Sequence, residues 1–145
     1  MTEGAPMPMM DFGFLCHFAQ QDAGKLYARG IGFDRLNVPG VPCSLDGMFY
    51  VLQLRAEPGT PLERPFRLRM MNADGQAEYE MQGSLSFNQV NYAGEPTVRL
   101  IIGLEEVVFP RFGLYALAFE VDGREVHRAG LEVRREAPTS DGPGE

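Results

Sequence analysis

Cys16 stands beside His17, and Cys43 and His127 lie far from them in the sequence. A thiolate and an imidazole together suit a soft metal ion or a nucleophile with its base. The residues around Cys16 alternate like a strand, however, and neighbours on a strand point to opposite faces, so Cys16 and His17 cannot readily hold one ion. Bringing in Cys43 from a Pro-rich loop and His127 from a hairpin would need two further elements to converge, and no metal site is expected. His127 has the titration range of a general base but no evident serine or cysteine partner. A half-exposed structural role is expected for it.

The remaining charged motifs read in the same way. Asp34-Arg35 ends a strand, where the two could orient a polar ligand, but an ion pair anchoring the following loop explains them as well and is the expectation. Glu105-Glu106 are adjacent carboxylates in an extended segment, so they splay apart instead of converging for acid–base work. No Gly-rich loop leads from a strand into a helix, and Lys25 is the sole lysine, which argues against nucleotide hydrolysis. The expectation is no catalytic residue, no metal and no cofactor.

These residues sit on elements with the periodicity of strands. Residues 10–19 place Phe12, Phe14, Cys16 and Phe18 on one face, and residues 25–36 form a second strand whose face changes at Arg29-Gly30, as at a bulge. A Pro-rich loop covers residues 37–46. Residues 48–56 alternate, and a second Pro-containing connection, 58–65, leads to a hairpin around Asn72-Ala73-Asp74-Gly75. With a four-residue loop, that hairpin sets Arg69 opposite Glu78, Arg67 opposite Glu80, Leu68 opposite Tyr79 and Phe66 opposite Met81, so every pair is chemically matched. The three-residue loop with a glycine bulge that such turns favour would spoil the match unless a second bulge lay nearby.

Further strands follow at 98–104, 107–109 and 114–121, and a two-residue Asp122-Gly123 turn leads into 124–133. That turn sets Glu120 against Glu125, a like-charge pair, and the alternation slips at Ala129-Gly130. Seventeen glycines and eleven prolines leave no run with sustained helical period. The expected fold is an all-β, antiparallel, two-sheet β-sandwich of seven or eight strands with immunoglobulin-like or related topology. Its boundaries are a flexible N-terminus over 1–9, one domain over 10–135 and a disordered tail over 136–145.

A chain of 145 residues with 44% hydrophobic content can bury one continuous core without staples. Its N-terminus lacks the basic-then-apolar pattern of a secretory signal and no segment is apolar enough to span a bilayer, so a cytoplasmic protein with two reduced thiols is expected. Residues 1–72 balance seven basic against seven acidic side chains, and residues 73–145 carry six against thirteen, the whole of the net charge of -7. An acidic second half disfavours phosphate backbones and anionic lipid, so neither nucleic acid nor membrane is expected as a partner.

Tyr115 follows Phe109-Pro110-Arg111-Phe112-Gly113, a short loop entering a strand, as does the corner tyrosine of immunoglobulin-like sandwiches, whose hydroxyl ties down a neighbouring loop. Several turn and core motifs carry a wider resemblance. Gly24-Lys25-Leu26, Gly30-Ile31-Gly32-Phe33-Asp34-Arg35-Leu36, the Pro-rich loop, the Asn72-to-Gly75 turn and the Phe109-Pro110, Gly113-Leu114-Tyr115 and Val121-Asp122-Gly123 series resemble a family of small bacterial proteins classed as a domain of unknown function. The resemblance covers most of residues 10–133. It implies a compact β-sandwich and no activity.

Eight methionines suggest adaptable contacts. Met70 and Met71 must take opposite faces, and the matched hairpin puts Met70 inside and Met71 outside. Val38, Val41, Leu45, Met71 and Phe112 are the candidate interaction surface. The expected function is a non-enzymatic intracellular binding module for a protein partner or a second copy of itself, acting through loops or an open sheet edge. One alternative is a small-ligand binder or enzyme with its site between the 37–46 loop and the 109–112 turn. Another is a structural subunit of a bacterial assembly.

Overall fold

The computed structural model describes residues 6–137, and every regular element in that span is a strand. There are thirteen: β1 (Met9–Cys16), β2 (Phe18–Asp22), β3 (Lys25–Arg29), β4 (Arg35–Val38), β5 (Cys43–Ser44), β6 (Phe49–Arg55), β7 (Glu63–Met71), β8 (Ala77–Ser86), β9 (Gln89–Val90), β10 (Pro96–Gly103), β11 (Val108–Phe109), β12 (Gly113–Val121) and β13 (Arg124–Arg135). They form four sheets, β1-β6-β10-β9, β4-β13-β12-β7-β8, β11-β5 and β2-β3. The all-β expectation holds. The strand count and the two-sheet arrangement do not, and β4 runs parallel to β13 where antiparallel pairing throughout was expected.

The extra strands come from breaks in runs that look continuous in sequence. The first run breaks at His17, and the second breaks after Arg29 instead of bulging there. Gly30 and Gly32 both have positive φ (67° and 85°), and a Cβ at Gly30 would come within 2.6 Å of the His17 ring. Between the breaks, Ala23 and Gly24 both take positive φ and turn β2 directly onto β3, with Asp22 paired to Lys25.

The β2-β3 hairpin explains why one face of β1 is so aromatic. Leu15, Tyr50, Leu52, Leu54 and Ile102 of the first large sheet join Leu68, Met70, Leu117, Phe119, Leu131 and Val133 of the second in the main core. On the opposite side of the first sheet, Cys16 and Val51 pack with Phe12, Phe14, Phe49 and Ile101 under Ala19, Leu26 and Ala28 of the hairpin. A sheet apolar on both faces needs two covers, and the small hairpin is the second.

The β7–β8 hairpin closes through a three-residue loop. The Asn72 amide donates to Gln76 O at 2.8 Å, Gly75 N donates to Asn72 O at 3.0 Å, and Gly75 has φ 81°. A bulge between Met70 and Met71 compensates. The pairs are therefore Arg69–Glu80, Leu68–Met81 and Met70–Tyr79, two residues away from the register of the four-residue loop. A shift of two keeps every side chain on its face, so Arg69 still meets a carboxylate and Leu68 an apolar partner, whereas Arg67 now lies opposite Gln82 and Phe66 opposite Gly83. Asn91-Tyr92-Ala93-Gly94-Glu95 repeats the same loop, its Asn91 Oδ1 accepting from Ala93 N and Glu95 N as Asn72 Oδ1 accepts from Asp74 N and Gln76 N.

In the last hairpin Glu120 does lie opposite Glu125. The register slip falls between Phe119 and Glu120, leaving Val126 as the extra residue, and Ala129-Gly130 pair without a break.

Candidate functional site

The residues suited to chemistry are dispersed. Cys16 is buried, and burial pushes its thiol pKa up; His17 points the other way, exposed and stacked on Phe33 at 4.3 Å between ring centres. Cys43 is a half-buried free thiol on β5. Among the described residues no three His, Cys, Asp or Glu side chains converge on a metal position. Arg35 pairs with Glu132 at 3.7 Å, not with Asp34. Its partner comes from the parallel β4–β13 contact, which local sequence does not announce.

His127 is half-buried, and its Nδ1 shares a short hydrogen bond with the hydroxyl of the fully buried Tyr50. Burial lowers the His127 pKa and, with the nearby Glu125, raises that of Tyr50. Both groups are therefore held neutral, with the Tyr50 hydroxyl able to donate to Nδ1 of the imidazole that carries its proton on Nε2. A Cβ at Gly13 would lie 2.8 Å from this ring, so the glycine makes room for it. The arrangement links two sheets.

The five surface candidates do not form one patch. Val38 is a core residue, 3% exposed, and this corrects its placement on the surface. Val41, Leu45 and Phe112 are half-buried against the same core, and Phe112 lies under the Arg135 guanidinium at 4.8 Å. Met71 is outside, as its opposition to the buried Met70 requires, in a shallow groove of about 390 Å³ with Leu114, Ala116 and Arg128. The 37–46 loop and the 109–112 turn do meet. They meet as a ladder, with Val108 paired to Ser44 and Phe109 to Cys43.

The longest open feature is an edge. β8 is ten residues long and ends its sheet, with β7 on one side and no strand on the other among the described residues. Gln82, Gly83 and Ser84 are exposed in succession. Gly83 cannot be exchanged freely, because a Cβ there would come within 2.6 Å of the Phe66 ring, which fills the place of the missing side chain. Behind this edge the sheet's outer face is ionic. Glu120 accepts from Arg67 NH2 at 2.8 Å and from Arg69 NH2 at 2.7 Å. Burial raises the Glu120 pKa, but the hydrogen bonds and charges of the two arginines outweigh it and hold the carboxyl below its usual range.

Residues 11–134 match a family of unknown function (DUF6941). The chain belongs to that family. No curated protein matches it. Among solved structures, a Pseudomonas fluorescens alkylpurine DNA glycosylase, AlkC, bound to DNA containing an abasic site analog, is similar at 10% identity with a TM-score of 0.40. That likeness covers 69% of this chain and 27% of the glycosylase, so this chain spans about a quarter of its length.

In this DUF6941 member the largest side chain that sequence reasoning passed over is Arg64, 2% exposed on β7. Its Nε and NH2 donate to Asp122 Oδ2 at 2.8 and 2.5 Å, and NH1 donates to the Pro6 carbonyl at 3.0 Å. Pro6, Met7 and Pro8 were expected in a flexible terminus. They are held here by Arg64 and by the packing of Met7 on the core, while residues 1–5 and 138–145 lie outside the described span. Arg64 stands between Glu63 and Pro65 at the end of the 58–65 connection, and nothing local to it signals burial.

Proposed function

We propose that this domain is a non-enzymatic binding module that pairs with a second copy of itself along the open edge of β8. The observation that carries the reading is that edge: ten residues, free on one side, with bland Gln82-Gly83-Ser84 exposed where a neighbouring strand would lie. An unpaired row of backbone amides and carbonyls is a template for another strand. A two-fold antiparallel pairing centred on Gln82 sets Glu80 against Ser84 and Glu78 against Ser86, so no two carboxylates of β8 stand directly opposite each other, while these serines donate to Glu63 of their own copy. It also sets Met81 against Gly83 and Tyr79 against Leu85, keeping apolar side chains on the inner face. Centring the pair on Glu80 would set two carboxylates directly opposite each other, which disfavours that register.

The same reading takes the two large sheets as an elaborated sandwich of immunoglobulin-related type, supported by Tyr115. Its hydroxyl donates to Arg111 O at 2.6 Å and accepts from Arg111 N at 3.1 Å, the expected corner. We place the protein in the cytoplasm, a reading supported by two unlinked thiols, and take protein as its partner in preference to nucleic acid or membrane because the chain is acidic.

The test is sedimentation equilibrium from ~1 µM to ~1 mM. A monomer–dimer equilibrium that Gln82→Glu weakens, by opposing two carboxylates at the centre, supports the reading. A strict monomer throughout, or a dimer indifferent to Gln82→Glu, removes it. Open-ended oligomers would favour the subunit of a larger assembly.

A further inference from the structure

On the outer face of the first large sheet, the β2-β3 hairpin covers the ladder only as far as Gln21 and Gly24. Beyond that point the sheet lies open in a cleft of about 640 Å³, floored by Gln53, Thr97 and Arg99 and walled on its far side by Asn88 and Gln89. The volume is in the range of small-molecule sites. Arg99 lies directly opposite Gln53 in the β10–β6 register. Its Nε donates to Gln53 Oε1 at 2.9 Å, and its NH1 reaches Gln21 Oε1 at 3.3 Å and the Gly24 carbonyl at 3.5 Å.

Like Arg29, Arg124 and Arg135, Arg99 has no ion-pair partner among the described residues, but it alone of these lines the cleft. Every acceptor that holds it is neutral, and among the described residues no carboxylate lies within ion-pair range of it. Gln53 is itself fixed, because its Nε2 donates to Asp11 Oδ2 at 3.0 Å, and Asp11 is neutralised by Arg55. The guanidinium is thus aimed, with NH2 left without a hydrogen-bond partner among the described residues. Around it the Thr97 hydroxyl and the side-chain amides of Asn88 and Gln89 have no hydrogen-bond partner among the described residues, whereas Asn91, at the rim, spends its side-chain amide on its own loop. A positioned cation recognises an oxyanion by charge-assisted hydrogen bonds, and neutral amides with a hydroxyl recognise neighbouring hydroxyl groups.

We propose that this cleft is a binding site for a small carboxylate carrying adjacent hydroxyls, of uronic-acid size, with Arg99 taking the carboxylate and Thr97, Asn88 and Gln89 the hydroxyls. The site is separate from the β8 edge, on the other large sheet, and stands whether or not the chain dimerises.

The test is a nitrogen–proton correlation titration of the full chain with glucuronate to ~20 mM, with glucose, acetate and inorganic phosphate as comparators. Saturable shifts at Thr97, Arg99 and Gln89 with glucuronate, and binding weaker by about tenfold or more in Arg99→Gln, are expected. Gln21→Glu supplies a second variant at an exposed position. Its carboxylate would occupy Arg99 and weaken glucuronate by a similar factor without touching the core. Absence of saturable shifts, or glucuronate binding equal in both variants and the parent, overturns the site. Glucose binding as well as glucuronate overturns the role of Arg99, and acetate or phosphate binding as well overturns the ligand class.

Discussion

The hydroxyl of Tyr50 and Nδ1 of His127 meet between β6 and β13, one on each large sheet. This is a part-buried polar contact between the two layers, with the Tyr50 ring edge-on to Phe119. A polar pair in such a place stabilises only while both members are satisfied and uncharged.

The sign of the resulting pH dependence is fixed. Because the folded His127 pKa lies below its ordinary 6.5, the unfolded chain binds the proton more readily. The contribution of His127 is complete above about pH 6.5 and is lost as pH falls below that value toward the depressed folded pKa. Urea unfolding at steps from about pH 8 to about pH 5 should show a decline that is shallower in His127→Gln. Parallel curves for the two proteins would contradict the assignment.

The corner tyrosine gives a second measurement. Tyr115→Phe keeps the ring packed on Phe109 and removes both hydrogen bonds to Arg111. The expected loss is about 1–3 kcal/mol of folding stability with the fold retained. A change within the error of denaturant unfolding would show that the loop is held by other contacts.

Glu120 is held ionised by Arg67 and Arg69. Its lowered pKa means that its stabilisation is present above the ordinary carboxyl range and is lost as pH falls through the folded value. Glu120→Gln should be less stable than the parent at neutral pH and lose less on acidification. The two proteins should converge once the pH falls below the lowered folded value of Glu120. A constant difference at every pH would refute this.

Met71→Glu tests the face assignment of β7. Met71 is half-buried in an open groove beside Arg128, so the variant should fold and lose about 1 kcal/mol or less. Unfolding of this variant would place Met71 in the core.

Alternation made the strands and their faces legible. Leu68 and Met70 are buried, Met71 is outside, the Asp122-Gly123 turn opposes Glu120 and Glu125, and Tyr115 makes its corner. What escaped were features set by tertiary partners. Nothing local to Arg35 says that β4 will run parallel to β13, and nothing near Cys16 says that the chain will fold β2-β3 back over β1 to cover a second core. The β7–β8 register slipped by two because loop type and bulge compensate each other, and alternation alone fits both solutions, although only the four-residue loop would set both Arg67 and Arg69 against carboxylates. The Arg99 cleft was illegible for the same reason: Gln21, Gln53 and Arg99 come from three strands, and each alone reads as a solvated polar residue.

Amide hydrogen exchange along β8, at dilute and concentrated protein, tests the pairing proposal most directly. The account predicts that outward-facing amides within residues 79–86 exchange slowly in the concentrated sample, faster on dilution and fast in Gln82→Glu. Fast exchange of those amides at every concentration, in a protein that stays monomeric, would contradict it.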